Sequence, residues 1–200
     1  MIEVEVDPLS PEWFDLRKGI PTGSQFRKII TPARGELSKS VNLYIGEIIA
    51  GEQSPEEGPG FSTYWTERGV DMEDEARAWY EMKTGFTVKT GGIIFNDDKT
   101  AAISPDGRID GKGLLEIKCL SPAYHVSYYL DGGLPNEHKP QVHAGLVVAD
   151  GYDWVDFLMY CPGYKERLVR VVRDAYTKNV ATALQQFSEK LTKAKSEVLK

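Results

Sequence analysis

The most constraining feature of the sequence lies near its middle, where Leu115, Ile117 and Cys119 alternate with Glu116 and Lys118. A period of two predicts a β-strand whose two faces differ. The apolar residues would pack in the core, and the carboxylate and the ammonium would lie side by side on the opposite face. Burying such a pair without a use for it costs free energy. The strand therefore indicates a functional site.

Strand patterns surround this segment. Apolar runs at 92–95, 101–104 and 114–119 are separated by turns at 96–99 and 107–113, which predicts consecutive strands of a meander. Two further strands are predicted at 154–160 and 168–172.

Helical signals occupy most of the remaining chain. Ser10 and Pro11 begin a short helix that ends near Gly19, and a turn at 21–24 begins a second helix that reaches Ile30. The Ser24 hydroxyl would then lie at a helix N-terminus, where anions bind well. Longer helices are predicted at 40–50, 64–83, 137–148 and 175–199, and an exposed polar loop at 53–60. The pattern predicts a mixed α/β (α+β) fold with a central mixed β-sheet between helices.

Length and composition indicate one soluble domain. The 200 residues, 41% of them hydrophobic, suit a single unit over 1–200, with a core at about 10–172 and a C-terminal helix at about 175–199. No apolar run is long enough for a membrane helix, and the first residues lack a signal-peptide pattern, so we expect a soluble, cytoplasmic protein. Cys119 and Cys161 form no C-x-x-C pair, which excludes common zinc and iron–sulfur sites.

The net charge of −6 argues against a broad nucleic-acid surface. However, positive residues are concentrated between 13 and 40, where six of them accompany only Asp15 and Glu36: Arg17, Lys18, Arg27, Lys28, Arg34 and Lys39. Contact with DNA would therefore be local and partly mediated by a metal.

Asp106 completes a possible metal site. It lies in a turn between two predicted strands, ten residues before Glu116. Mg²⁺ held by these two carboxylates and one backbone carbonyl would keep positions for water and a phosphate oxygen. Such an ion activates water and neutralises charge in phosphodiester hydrolysis, and Lys118 could orient the water or stabilise the same charge.

On spacing alone, other interpretations stay open. Glu116 and Lys118 could form an ordinary salt bridge, and Asp106 could serve only its turn. A calcium-binding loop fits less well, because Arg108 occupies a ligand position and Ile117 stands where a bidentate glutamate is needed.

Several motifs together resemble one known family. Ser104-Pro105-Asp106-Gly107 followed by Leu115-Glu116-Ile117-Lys118-Cys119 resembles the PD-(D/E)xK nuclease core, and more closely that of the lambda-phage exonuclease family. Further similar segments follow the family's order over residues 10 to 160: Trp13 with Leu16-Arg17, Thr22-Gly23-Ser24, Arg68-Gly69 with Glu73, Glu75, Ala76 and Arg77, and Gln141-Val142. The resemblance implies a restriction-endonuclease-like core.

The resemblance also implies roles for individual residues. Asp106, Glu116 and the carbonyl of Ile117 would bind the first Mg²⁺, with Mn²⁺ as a substitute, and Glu73 would lie near a second metal. Lys118 would be the catalytic lysine. The terminal 5′-phosphate pocket would comprise four side chains, whose donors suit a phosphate dianion: Arg17, Ser24, Ser104 and Gln141. His138 and His143 stand where the family often has tyrosine and glutamine.

For function, the resemblance implies a phage or prophage 5′-to-3′ exonuclease of a bacterial host cell. It would digest one strand of duplex DNA from its end and leave a 3′ overhang. A homotrimeric ring around the DNA would compensate for the acidic charge, and the usual partner is a single-strand annealing protein. The alternatives are a restriction or repair endonuclease of the same superfamily and a catalytically silent module that binds DNA ends.

Overall fold

The computed structural model describes residues 1–53, 64–109 and 112–199, with side chains described for 1–52, 72–109 and 112–199. Seven α-helices lie in these ranges: α1 Pro11–Asp15, α2 Phe26–Ile29, α3 Val41–Gln53, α4 Tyr64–Thr84, α5 Pro122–Asp131, α6 Lys139–Val148 and α7 Ala175–Val198. Eight strands accompany them: β1 Ile2–Val4, β2 Val88–Lys89, β3 Ile93–Phe95, β4 Ala102–Ile103, β5 Gly107–Ile109, β6 Gly113–Cys119, β7 Trp154–Tyr160 and β8 Arg167–Val172. Among the helices that the structure describes, none is long and apolar enough to cross a membrane.

The strands form two sheets. The larger has the order β2-β5-β6-β7-β8, with β6 and β7 parallel and the other neighbours antiparallel. The parallel pair requires a crossover, which α5 and α6 supply. The smaller sheet is antiparallel with the order β1-β3-β4. The predicted mixed α+β fold, with a central mixed sheet between helices, is confirmed.

The prediction of one continuous meander is wrong. β4 pairs with β3 in the small sheet, whereas β5 pairs with β6 in the large one, so the chain changes sheets at 104–106. The predicted turn at 107–113 is also wrong at its start, because Gly107–Ile109 is a strand. Asp110 and Gly111, which belong to the predicted turn at 107–113, lie outside the described residues.

Strand β6 has the two different faces that its sequence predicts. Leu115 and Ile117 pack with Met72, Ala76 and Tyr80 of α4. On the other face, the hydrophobic cluster of Leu114, Phe157 and Met159 includes Val142 of α6. Glu116 and Lys118 share the Leu114 face, so α6 is the helix nearest to them.

A buried arginine joins the two sheets. Arg108 of β5 is 7% exposed in its side chain and donates hydrogen bonds to Glu3 of β1 (3.0 Å) and to Glu5 (2.9 Å). The Arg108 guanidinium, and then Lys89, lower the pKa of Glu5 to about 2. These ion pairs hold the first strand of the chain beside the strand that follows Asp106.

The two short N-terminal helices are confirmed, with corrected ends. The Ser10 side chain accepts a hydrogen bond from the Trp13 amide and caps α1, but α1 ends at Asp15 rather than near Gly19. The backbone amides of Arg17 and Lys18 donate hydrogen bonds to carbonyls three residues earlier. These turns are tighter than those of an α-helix, whose amides bond four residues back. Ser24 lies within a 3-10 turn, Gly23–Gln25, that precedes α2.

The longer helices agree with the predictions to within a few residues. The helices predicted at 40–50, 64–83, 137–148 and 175–199 are α3, α4, α6 preceded by the 3-10 turn Asn136–His138, and α7. The sequence analysis missed β1, β2 and α5. Of the loop predicted at 53–60, Gln53 ends α3 and the rest lies outside the described residues, as does the side chain of Arg68.

Candidate active site

Asp106 lies where the pairing of β5 with β6 ends. The last pair joins Gly107 to Leu115, so Ile117 lies two residues beyond the last residue of β6 that pairs with β5. Asp106 Oδ2 accepts a hydrogen bond from that amide at 2.6 Å. The carbonyl and amide of one residue in an extended strand point to the same side, so the Ile117 carbonyl also faces the Asp106 edge.

Glu116 directly precedes Ile117 on β6, and it is 8% exposed. Its Oε1 accepts hydrogen bonds from Lys118 Nζ and from Gln141 Nε2, both at 2.5 Å. Gln141 belongs to α6, the helix that covers this face of the sheet. The structure thus brings together Asp106, Glu116 and Lys118, with Gln141 of the implied 5′-phosphate pocket in contact with Glu116.

The charges in this cluster act strongly on one another. Burial raises the pKa of Asp106 well above its usual value, and the negative charge of Glu116 raises it further. Burial alone would lower the pKa of Lys118, but Glu116 and Asp106 outweigh burial, and the net shift is upward. Lys118 is therefore held as an ammonium by its contact with Glu116 and by the charge of Asp106.

Glu73 approaches the same cluster from α4. Its side chain is half-buried, and burial raises its pKa; Lys118 opposes the shift and Glu116 adds to it. The charges of Lys118 and Glu116 therefore act on Glu73, the residue that the resemblance implies for a second metal.

The chemistry of these groups fits a hard divalent cation. All the donors are oxygens, and among the described residues the hydrogen bonds to the two central carboxylates use Oδ2 of Asp106 and Oε1 of Glu116. Burial, followed by the negative charge of Glu116, raises the pKa of Asp106, and a bound cation would favour the ionised carboxylate. Within the ranges that the structure describes, no three acidic, histidine or cysteine side chains already stand together as a formed metal site. The Ile117 carbonyl would therefore complete the donor set.

A cavity of about 190 Å³ opens beside Lys118. Its lining comprises Ser24, Arg27, Lys118, Glu137, His138 and Gln141. A smaller one, about 20 Å³, adjoins Glu116 and Gln141 from the other side and includes Ser104 and Pro105. Larger cavities of about 320, 480 and 580 Å³ border α7, and none has Asp106, Glu116 or Lys118 in its lining.

Arg17 takes a different position from the one predicted. Because α1 ends early, Arg17 is not on a helix surface but half-buried, with its guanidinium 3.7 Å from the centre of the Trp13 ring. It donates a hydrogen bond to Thr22 Oγ1 at 2.9 Å, and burial lowers its pKa to about 10. No described carboxylate forms an ion pair with it. Arg17 lines neither the cavity beside Lys118 nor the smaller one beside Glu116.

Ser104 contacts the ring on which this arginine stacks, and it also lines the smaller cavity beside Glu116. Its hydroxyl donates to the Gly92 carbonyl at 3.0 Å and accepts from Trp13 Nε1 at 3.2 Å. Ser104 thereby fixes the aromatic ring on which Arg17 stacks.

The two histidines have separate surroundings. His143 is buried against α7, where its Nδ1 lies 2.8 Å from Thr177 Oγ1, and it takes no part in the cluster. His138 lines the cavity beside Lys118 and packs against Phe157. Burial, followed by the charge of Lys118, lowers the pKa of His138 to about 4.

The sequence analysis missed Arg27 as a site residue. Arg27 is exposed and follows Ser24 by three residues, so the two share a helical face. The sequence could have shown that Arg27 and Ser24 share a face. It could not have shown that Gln141 of α6 lines the same cavity, because that depends on the fold.

Comparisons with known proteins agree with this geometry. The model of the YqaJ-like viral recombinase domain matches residues 12–152. The alkaline exonuclease LHK-Exo from Laribacter hongkongensis superposes with a TM-score of 0.81 and 26% identity, covering 94% of this chain and 96% of that one. Its complex with dAMP gives 0.76 and 25%, covering 94% and 97%.

A phage-related exonuclease from Haemophilus somnus 129PT gives a TM-score of 0.62 at 14% identity, covering 88% of this chain and 96% of that one. At that identity the likeness concerns the fold. A search of curated protein sequences found no match.

Proposed function

The chain belongs to the YqaJ-like viral recombinase domain family, and on that basis we propose that it digests one strand of duplex DNA from the 5′ end, leaving a 3′ overhang. Its likeness to alkaline exonucleases makes it a deoxyribonuclease. The polarity, the product and the metal are the parts that we propose.

The observation that carries the proposal is the convergence of Asp106, Glu116 and Lys118 at one edge of β6. In this proposal Asp106, Glu116 and the Ile117 carbonyl hold Mg²⁺ or Mn²⁺, and Glu73 serves a second ion. Bound Mg²⁺ would supply activation of the attacking water and neutralisation of charge on the scissile phosphate.

The protein groups have distinct tasks around that ion. Lys118 orients the water or stabilises the charge that develops on the phosphate, since its ammonium is held in place by Glu116. Gln141 fixes the Glu116 carboxylate from α6. Because both contacts use Oε1, the other oxygen of Glu116 is the one assigned to the metal.

We assign the terminal 5′-phosphate to Arg17, Ser24, Ser104 and Gln141. Ser24 and Gln141 line the same cavity as Lys118, and Ser104 and Gln141 line the smaller one. Arg17 supports the assignment through its charge: it is half-buried, and no carboxylate among the described residues neutralises it. A phosphate dianion is a suitable partner for such a guanidinium.

The net charge of −6 bears on how the enzyme stays on DNA. A closed homotrimeric ring would retain the duplex by enclosure, so that a strong positive field is unnecessary. We propose this assembly, together with a single-strand annealing protein that takes over the exposed 3′ strand.

Linear duplex DNA labelled separately at each end tests the proposed polarity. We expect release of label from the phosphorylated 5′ end first, only with Mg²⁺ or Mn²⁺, and no cutting of covalently closed circular DNA. Cleavage of the circle would favour the endonuclease alternative. Binding without cleavage in any divalent ion would favour the silent end-binding module.

Arg17→Ala is expected to reduce the preference for 5′-phosphorylated over 5′-hydroxyl ends by about tenfold, since one charge-assisted contact to the phosphate is lost. The melting temperature should also fall modestly, because the side chain packs on Trp13. The ratio of kcat/KM on the two substrates measures the preference. Lys18→Ala is the control, because Lys18 is exposed and paired with Asp15; equal ratios in both variants would contradict the role of Arg17.

A further inference from the structure

The cavity beside Lys118 contains an arginine that the assigned roles do not use. Arg27 lines it together with Ser24 and Gln141, two residues of the proposed 5′-phosphate site. The volume of this cavity, about 190 Å³, is several times the roughly 30 Å³ that a water molecule occupies in the liquid. The cavity can therefore hold a group larger than one water.

Arg27 carries a charge that the protein does not neutralise. Its side chain is exposed, and no carboxylate in the described ranges forms an ion pair with it. The neighbouring Lys28, in contrast, pairs with Glu47 and lies over the Tyr44 ring. Of these two consecutive cations, only Arg27 faces the cavity.

The other charges of the lining also favour an anion. Lys118 contributes an ammonium at the far side, and the positive charges of Lys118 and Arg27 both help to keep His138 uncharged. Glu137 is the one acid of this lining, and its carboxylate lies 3.3 Å from His138 Nε2. The donors of Ser24 and Arg27, and the second hydrogen of the Gln141 amide, remain to serve a ligand with acceptor oxygens.

We propose that Arg27 is a specificity-determining residue that binds the terminal 5′-phosphate of the DNA strand. The inference rests on the proposed exonuclease function and adds a second guanidinium to the site of Arg17. A terminal phosphate carries nearly two negative charges, whereas a 5′-hydroxyl carries none. A second cation therefore strengthens discrimination between these two ends.

Arg27→Gln and Lys28→Gln form a matched pair, since each removes one positive charge from adjacent positions. We expect Arg27→Gln to lower kcat/KM on 5′-phosphorylated linear duplex about tenfold and to leave the rate on 5′-hydroxyl duplex unchanged. Lys28→Gln should change neither. Arg27→Lys keeps the charge but not the planar fork, and should give an intermediate preference.

Binding without metal supplies a readout independent of cleavage. With EDTA present, fluorescence anisotropy of a labelled 5′-phosphorylated duplex should give a salt dependence, log K against log salt, whose slope falls by about 1 in Arg27→Gln. An unchanged end preference and slope in folded Arg27→Gln, or equal changes in Lys28→Gln, would overturn the role of Arg27 alone. A wild-type enzyme without activity on linear 5′-phosphorylated duplex would overturn the proposed function as well.

Discussion

Asp106→Asn is expected to lower DNA cleavage by about a thousandfold or more, because several kcal/mol of transition-state stabilisation depend on the cation that this carboxylate would hold. The same change should leave the metal-free protein at least as stable as the wild type. Asparagine keeps an oxygen that can accept the Ile117 amide. The substitution removes a buried carboxyl group, whose pKa is raised by desolvation and by the negative charge of Glu116.

The sign of the stability effect follows from that raised pKa. A carboxyl that is harder to ionise in the folded state costs stability at pH values above its unfolded pKa. Neutral asparagine avoids that cost, so urea unfolding of the metal-free variant at pH 7 should show an equal or higher free energy of unfolding.

With added Mg²⁺, the wild type should have a higher free energy of unfolding than Asp106→Asn. Mg²⁺ should stabilise the wild type by about 2.7 kcal/mol at a hundred times its Kd, and Asp106→Asn much less. Retained cleavage in the variant, or equal stabilisation of both proteins by Mg²⁺, would contradict the assignment of Asp106 as a ligand.

Lys118→Met is expected to reduce kcat about a hundredfold to a thousandfold, the usual loss when one group that stabilises transition-state charge is removed. In contrast to Asp106→Asn, it should destabilise the metal-free protein. Glu116 and Asp106 would lose the ammonium that offsets their repulsion, while methionine retains most of the side-chain volume.

Single-turnover kinetics and urea unfolding, with and without Mg²⁺, measure these effects together. Mg²⁺ should restore much of the lost stability without restoring cleavage. If Glu116 and Lys118 form only a structural salt bridge, the variant would lose stability and keep its rate per folded molecule. Lys112→Met is a suitable control, because Lys112 is exposed and paired loosely with Asp153 at 3.6 Å.

The sequence predicted the active-site strand well because local rules determine it. The alternation at 115–119 determined which side chains share a face. The sequence placed Asp106 in a turn between two strands, but its position beside β6 depends on β5, which the sequence analysis took for part of a turn. Helices α4 and α7 have 21 and 24 residues. A sequence pattern that extends over so many residues identifies a helix even where single residues also suit a strand or a loop. These elements needed no knowledge of distant contacts.

Features that depend on distant contacts were not predictable in this way. Strand β1 has three residues and exists because β3, some ninety residues later, pairs with it. Arg17 lost its predicted helix because tight turns end α1 at Asp15. The position of Arg27 became meaningful only when the fold brought Gln141 and His138 to the same cavity.

The central claim is that Asp106 and Glu116 together bind a divalent cation beside Lys118. A crystal soaked in Mn²⁺ tests it most directly, because the anomalous signal locates the ion independently of the protein model. We predict a peak bridged by both carboxylates and the Ile117 carbonyl, at the roughly 2.1 Å that a hard cation adopts to oxygen. No peak there at a Mn²⁺ concentration that supports cleavage, or a peak bound by other residues alone, would contradict the account.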